Sequence, residues 1–584
     1  MVLFHVEPLP DETFPGAGGA PRFSVSPDGR MIVYASSAQG RSEQLRIRRL
    51  DSSDTPPLRG SDGPFRSGDS VQWPFWSPDS RTVAFFDATA GKLKRIELAG
   101  GRADVVCDFS GLNSAGTWSS AGVILFSTFD TRGIQRVPAG GGTPERVTAL
   151  DDARHEVSHL WPQFLPDGRH FLFHVVSSDA TIPAAVFVGE LGSTSRVHLV
   201  DTPSMAVLAP PDRLLFVRGE ALVAQKLDLS ILTLTDEPTV IVAKIRQAGN
   251  GRIPVSASFT GVLAYNEAGT TGPYQATWRG RDGRELPNRR GLAMSDTYMR
   301  LSADGRRLAF ARGSPPDIWI LDLDRNVETR LTTDPAIESH PMWWPDGSKL
   351  VFRAHQGARR IAGLYEQAAS GASPESLRLG NEGGQSLFPL DLTTDGRYML
   401  FTEGPYETTS NLLRLAGNLR LLDTSSDRKP YPLLTSDHWR GNAKVSPNGH
   451  WLAYTSDEAG TFQVFVRSFP DPQRARYQVS NAGGFAPRWR RDGRELYYED
   501  NQTRLVAVGV TTEDRFDMQT RAPLFTMPLL GTSERYEVTP DGQQFIVAET
   551  SGDNPITVAI NWMTYSVVQI DETPPADSCP SRIS

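Results

Sequence analysis

FSVSPDGRMIVYAS, residues Phe23–Ser36, is a β-hairpin written out in full. Asp-Gly is a strong turn signal, because Asp hydrogen-bonds its local backbone and Gly accepts a positive φ. The run Met31–Ala35 that follows is β-branched and aromatic, as strands prefer. The same sentence recurs as PFWSPDSRTVAFFD (Pro74–Asp87), PQFLPDGRHFLFHV (Pro162–Val175) and RLSADGRRLAFAR (Arg300–Arg312). Later copies are MWWPDGSKLVFRA (Met342–Ala354), AKVSPNGHWLAYTS (Ala443–Ser456) and YEVTPDGQQFIVAE (Tyr536–Glu549). Degenerate copies fill the gaps, and alignment on the turn glycine or its replacement gives anchors at Gly29, Ser80, Gly122, Gly168, Arg213, Gly261, Gly305, Gly347, Gly396, Gly449, Gly493 and Gly542.

The mean spacing is about 47 residues, a blade-sized period. Anchors one to six also match anchors seven to twelve at a near-constant offset, from Gly29 with Gly305 to Gly261 with Gly542, so a six-repeat unit is present twice. The strands after each turn are near-continuous apolar runs, as strands covered on both faces are, while the outer hairpins alternate. Helical periodicity of useful length is absent. The expected fold is all-β: two tandem six-bladed β-propellers of four-stranded antiparallel blades, since twelve blades exceed the usual four to eight of one ring. The first propeller is expected over residues 1–272 and the second over 273–570, with a flexible tail over 571–584 and the seam near Gly269–Pro273. The segment Phe4–Pro10 is expected to supply a closing strand to the first ring, and ITVAINW from Ile556 a late strand of the second.

At 584 residues the chain exceeds one ordinary core, which fits two domains. A net charge of −8 argues against a nucleic-acid partner. Of 60 basic residues only seven are lysines, a bias read as genomic rather than as a phosphate-binding surface. Cys107 and Cys579 lie far apart, which speaks against a disulfide framework or a cysteine metal site. No apolar run approaches the ~20 residues of a membrane helix, and no signal peptide is evident, so the chain as it stands is expected to be cytoplasmic.

The hairpins resemble the WD40-like propeller repeats of the TolB family. WPQFLPDGRHFLF (from Trp161), GNGRIPVSASFTGVLAY (from Gly249), VSPNGHWLAYTSDEAG (from Val445), PRWRRDGRELYY (from Pro487) and ITVAINW point to a narrower group. They resemble the C-terminal, sensor-like propeller region of bacterial membrane-anchored serine/threonine protein kinases; similar modules follow winged-helix DNA-binding domains. The resemblance implies an interaction or sensing module. The kinase's own Gly-rich loop, H-R-D loop and D-F-G are missing, Asp108-Phe109-Ser110 being a superficial echo.

His155-Glu156-Val157-Ser158-His159 matches H-E-x-x-H, but Leu160-Trp161-Pro162 follows at once and denies both imidazoles one helical face. The turn aspartates Asp28, Asp79, Asp167 and Asp346 recur once per blade, as structural turn residues do rather than metal ligands. No G-x-S-x-G elbow or hydrolase domain follows the propellers, which removes a prolyl-oligopeptidase reading. Residues just before the inner hairpins lie near a propeller's channel mouth. Trp73, His159, Trp161, His340 and Trp343 are therefore the candidate binding set, with packing between blades as the competing reading.

The expected function is a non-catalytic, monomeric interaction or ligand-sensing module without a cofactor. Its partner would be a protein, a peptide or a small polar ligand. The alternatives are a metal-dependent propeller lyase or hydrolase with a His-lined channel, and a fragment of a kinase encoded upstream.

Overall fold

A computed structural model describes residues 2–564 apart from 10–11, 15–21, 39–42, 62–70, 88–89, 111–113, 129–132, 180, 246–250, 268–273, 288, 290, 314, 335, 356–361, 381–384, 406–417, 427–428, 436–437, 529–533 and 551–554. The expected tail 571–584, Cys579 and the seam at 269–273 lie outside the described residues. Ten of the twelve anchors are glycines at φ between 65° and 85°, and the eleventh is Ser80 at 61°. In the first hairpin the Ser26 hydroxyl donates to Asp28 Oδ1 (2.5 Å) and accepts from the Met31 amide (2.9 Å), while Asp28 Oδ1 also accepts from the Arg30 amide (3.1 Å). The hydroxyl–carboxylate bond repeats at Ser77–Asp79, Ser302–Asp304, Thr393–Asp395 and Thr539–Asp541. The Ser77 hydroxyl holds the Asp79 carboxyl below its ordinary value, and Thr539 does the same for Asp541. These carboxylates are spent on closing turns. Gly29 has a second constraint, because a Cβ there would collide with Thr260 Oγ1 on the neighbouring hairpin tip.

The described residues form twelve four-stranded antiparallel sheets, numbered here by the chain order of their innermost strands. Those inner strands are Phe23–Val25, Val71–Trp76, Ala115–Trp118, Glu156–Phe164, Val207–Ala209 and Val255–Ala257 for sheets 1–6. For sheets 7–12 they are Met299–Leu301, Ile337–Trp343, Gln385–Leu392, Arg440–Val445, Phe485–Trp489 and Tyr536–Val538. Apolar layers lie between successive sheets. Val33, Ala35 and Leu45 of sheet 1 meet Trp76, Val83 and Phe85 of sheet 2, and the following pairs of the first group repeat the arrangement. Sheet 6 packs back on sheet 1 through Val262, Ala264 and Val558 against Phe23, Val25 and Ile32. Sheet 12 packs back on sheet 7 through Trp278, Ile546 and Ala548 against Met299, Leu308 and Phe310. A layer on each face explains the unbroken apolar runs, since alternate side chains of one strand enter different layers. The architecture is that of a β-propeller.

Sheets 6 and 12 are assembled from distant pieces. Sheet 6 runs Val255–Ala257, Val262–Tyr265, Ile556–Ile560, Val2–Val6 from the inside out, and sheet 12 runs Tyr536–Val538, Gln544–Thr550, Tyr274–Gly280, Leu292–Met294. Each contributes its two inner strands and then receives its third strand from the segment that leaves the other. The strand Val2–Val6 therefore closes the first group, pairing with Ile556–Ile560. The segment ITVAINW departs from expectation: it belongs with sheets 1–6, because Ile556–Ile560 bonds Val262–Tyr265 on one side and Val2–Val6 on the other. Its apolar residues mark it as a strand but carry no information about which group supplies its neighbours. Among the described residues no helix is long and apolar enough to cross a membrane.

Candidate functional site

Six inner strands break register at a bulge, at Gln72/Phe75, Leu160/Gln163, Ser339/Met342, Pro389/Asp391, Gly441/Lys444 and Phe485/Arg488. A bulge re-aims a side chain out of the ladder. Four of these bulges carry a non-glycine residue at positive φ: Trp161 (58°), His340 (55°), Asn442 (52°) and Ala486 (49°). Trp73 holds the same place before a proline, whereas Phe388 is still paired with Thr402, one residue ahead of the bulge in its own strand. Three of the sequence candidates, Trp73, Trp161 and His340, thus share one structural position. Trp343 stands three residues further, back in the ladder, where its indole N–H donates to the Arg300 carbonyl (3.0 Å). Trp76 does likewise to Ser24 and Trp489 to Lys444, each at 3.0 Å. Trp343 braces adjacent sheets.

His159 faces away from that position. It is buried, its Nε2 lies 2.9 Å from Glu156 Oε2 and its Nδ1 2.8 Å from Thr148 Oγ1. Arg196 completes the cluster with two bonds to Glu156 (2.7 and 2.9 Å). His155 caps a short 3-10 turn outside the strand. Both ring nitrogens of His159 are engaged, and the H-E-x-x-H stretch becomes an ion cluster on a strand. Among the described residues no group of three or more His, Cys, Asp or Glu is placed to hold a metal ion. Burial pushes the Cys107 thiol up to about 12, so it stays protonated.

In sheets 1–6 the structure brings Trp73 and Trp161 together through a residue the sequence did not single out. The Arg252 guanidinium lies 3.1 Å from the ring centroid of Trp73 and 4.7 Å from that of Trp161. The three come from sheets 2, 4 and the entry to sheet 6, so their meeting marks the centre of the group. Gly251 makes the approach possible: at φ 78° it packs so closely that a Cβ would lie 2.9 Å from His174 Cε1 and 2.7 Å from the Pro203 carbonyl. His174 is fully buried, with Nε2 3.2 Å from the Thr202 carbonyl, and burial pushes its imidazole down to about 4. The unfolded chain takes up this proton near pH 6.5, whereas the folded chain refuses it until about pH 4. Stability should therefore fall as pH drops from 6.5 to 4, by about 3 kcal/mol from this group. The comparison is denaturant melts of wild type and His174→Phe across that window; an unchanged slope in the variant would remove the assignment.

The centre of sheets 7–12 is built differently. His340 stacks on Tyr298 (centroids 3.6 Å apart, planes 27°) and meets the edge of Phe388 at 5.2 Å. These rings, with Trp439, Asn442 and Glu534, line a small cleft. Beside it lies a buried ion network. Glu534 Oε2 accepts from Arg300 and from Arg488 (3.1 Å), and Oε1 accepts from Asn442 Nδ2 (3.0 Å). Glu537 Oε1 bridges the same two guanidiniums at 3.1 and 3.0 Å. Burial alone would raise the Glu534 carboxyl, but Arg300, Arg488 and Lys444 outweigh it and hold it well below the ordinary range. Lys444 Nζ donates to the Leu390 carbonyl; burial, then the charge of Arg300, pulls it down to about 8. Tyr298, His340, Phe388, Asn442, Arg488 and Glu534 come one from each of six sheets or their entries, which only a central position allows.

No family model matches the chain. Among solved structures, a protein assigned as TolB from Agrobacterium tumefaciens is 13% identical, with 49% of this chain and 100% of that chain covered and a TM-score of 0.36. TolB from Acinetobacter baumannii is 12% identical, with 60% and 79% covered and a TM-score of 0.30. The tricorn protease is 10% identical, with 85% and 58% covered and a TM-score of 0.28. The propeller assignment rests on the sheet order and the core layers, not on these likenesses.

Proposed function

We propose that the chain is a non-catalytic binding module of two six-bladed propellers, sheets 1–6 and sheets 7–12, that meets its ligand in the central cleft of the second. The first propeller would span residues 1–272 with its third closing strand borrowed from Ile556–Ile560, and the second the rest of 273–570. One observation carries the reading: five of the six sheets line an aromatic cleft, and the sixth reaches the charged network beside it through Arg488. Mostly apolar walls with a few fixed polar groups are what small-ligand sites share. A partner offering a peptide or small polar group suits that lining. The motif resemblance to kinase sensor regions supports a sensing role.

The test is a panel of capped basic, acidic and neutral tripeptides at millimolar concentration, read by thermal unfolding of the whole chain. A ligand at about ten times its Kd stabilises by about 1.4 kcal/mol. At least one class should raise the melting temperature, and the rise should vanish in both Trp439→Leu and His340→Leu. No shift with any class, or a shift untouched by both variants, would sink the proposal.

A further inference from the structure

The two halves of the chain answer each other at their centres. Trp73 and His340 are repeat partners, each before a proline and equally far ahead of its turn anchor, Ser80 or Gly347. Trp161 and Asn442 are partners in the same way, ahead of Gly168 and Gly449, at the same bulge. Arg252 stands three residues before the inner strand of sheet 6, and Glu534 two residues before that of sheet 12. The two centres are thus filled in opposite ways. In the first half the protein inserts its own guanidinium between two indole faces. In the second half it supplies a carboxylate, an amide and stacked rings, which line a small cleft.

We infer that this cleft takes an organic cation bearing N–H donors, a guanidinium or ammonium group, with the arrangement of Arg252 as the internal template. Aromatic faces carry the negative side of a quadrupole and attract such groups, most strongly where water is excluded. The His340–Tyr298 stack and the Trp439 indole provide those faces; Arg353 already covers Phe388 at 4.5 Å. A carboxylate accepts about four hydrogen bonds. Among the described residues three donors reach Glu534, two on Oε2 and one on Oε1, so an acceptor position on Oε1 remains for a ligand N–H.

The charges of the network do not oppose a cation. Arg300, Arg488 and Lys444 are matched by Glu534, Glu537 and Asp391 in the same network. Arg440, on the cleft wall, is paired with Glu458 at 3.1 Å. The buried network is thus balanced, Arg353 over Phe388 is a further cation beside the cleft, and the ring faces with the Glu534 oxygen must carry the preference. Arginine of a peptide is the source that the template indicates, because a planar guanidinium both stacks and forks.

The inference rests on the central-cleft reading, and calorimetric titration of the whole chain separates the two. Capped arginine should bind at least tenfold more tightly than capped citrulline, its uncharged isostere, and more tightly than capped glutamate. Gly-Arg-Gly should exceed putrescine if the source is a peptide, and the reverse order would overturn that part. Trp439→Leu should remove the preference for arginine; Glu534→Gln should weaken arginine binding where its melting curve shows a folded protein. Citrulline or glutamate binding as well as arginine, with dependence on Trp439, would overturn the cation and leave the cleft. No binding by any probe would overturn both. The template has its own check: Arg252→Ala should be stabilised by ethylguanidinium while wild type is not, and an unresponsive variant would remove it.

Discussion

A chain stopped after Pro555 should lose the cooperative fold of sheets 1–6 while sheets 7–12 stay intact. Among the described residues the strand Ile556–Ile560 is the sole ladder neighbour of Val2–Val6 and the outer neighbour of Val262–Tyr265, so its removal strands the first and leaves the second as an edge. Ile556 and Val558 are fully buried, in the layer between sheets 6 and 1; Trp562 packs between sheets 5 and 6. At about 1.5–3 kcal/mol for each large apolar side chain, their loss is about 5–9 kcal/mol before hydrogen bonds are counted. That is comparable with the whole stability of a typical domain, about 5–15 kcal/mol. Hydrogen exchange and limited proteolysis with mass spectrometry would read it: rapid exchange and cleavage across 23–265, protection retained across 299–550. Uniform protection of both regions in the shorter chain would show that the exchanged strand does not close the first group. Equal loss in both would show that the two halves fold as one unit.

The turn grammar of this fold was legible because it is local. Ser, Asp and Gly at fixed offsets satisfy one another within five residues, so Ser26-Pro27-Asp28-Gly29 announces its hairpin without any tertiary partner. The degenerate copies at Gly122 and Gly261 were found by spacing alone, and both adopt the positive φ that the turn requires. The site was half legible. Their place just before the inner hairpins singled out Trp73, Trp161 and His340, and each lies at a bulge. His159 was misplaced for a geometrical reason. Alternation puts residues two apart on one face, but that count fails across a bulge. Trp161 turns the chain at such a point, with φ at 58°. Arg252 and Glu534 escaped because each lies at the entry to a closing sheet, a place that occurs once per half and leaves no repeated signature. Strand exchange escaped for a related reason, since a ladder partner hundreds of residues away writes nothing into the local pattern.

Replacing Arg488 by Met should be the most damaging single substitution in sheets 7–12. Arg488 uses Nε on Glu537 and Nη2 on Glu534, at 3.0 and 3.1 Å, and all three side chains are a tenth exposed or less. Removing it leaves two buried carboxylates sharing Arg300. Breaking a buried pair from one side costs about 3–5 kcal/mol, mostly the penalty of the charge left behind. In a unit of this size about 1 kcal/mol lowers the melting temperature by about 2–4 °C, so a fall of about 6–20 °C is expected. Arg488→Lys should recover little, because an ammonium lacks the planar fork that spans both acceptors. The acid side carries a second signature. The Glu534 carboxyl sits well below its unfolded value, so its stabilisation is fully present above that value and is lost as pH falls through the folded one. With Arg488 gone the folded value rises, and acid unfolding of sheets 7–12 should begin at higher pH than in wild type. Adding Glu534→Gln to Arg488→Met should cost less than the sum of the two single changes, since the double variant buries one fewer orphaned charge. Additive losses, or an Arg488→Met chain melting within about 2 °C of wild type by the same conversion, would show that the network is an ornament of the cleft rather than what ties five inner strands together beside it.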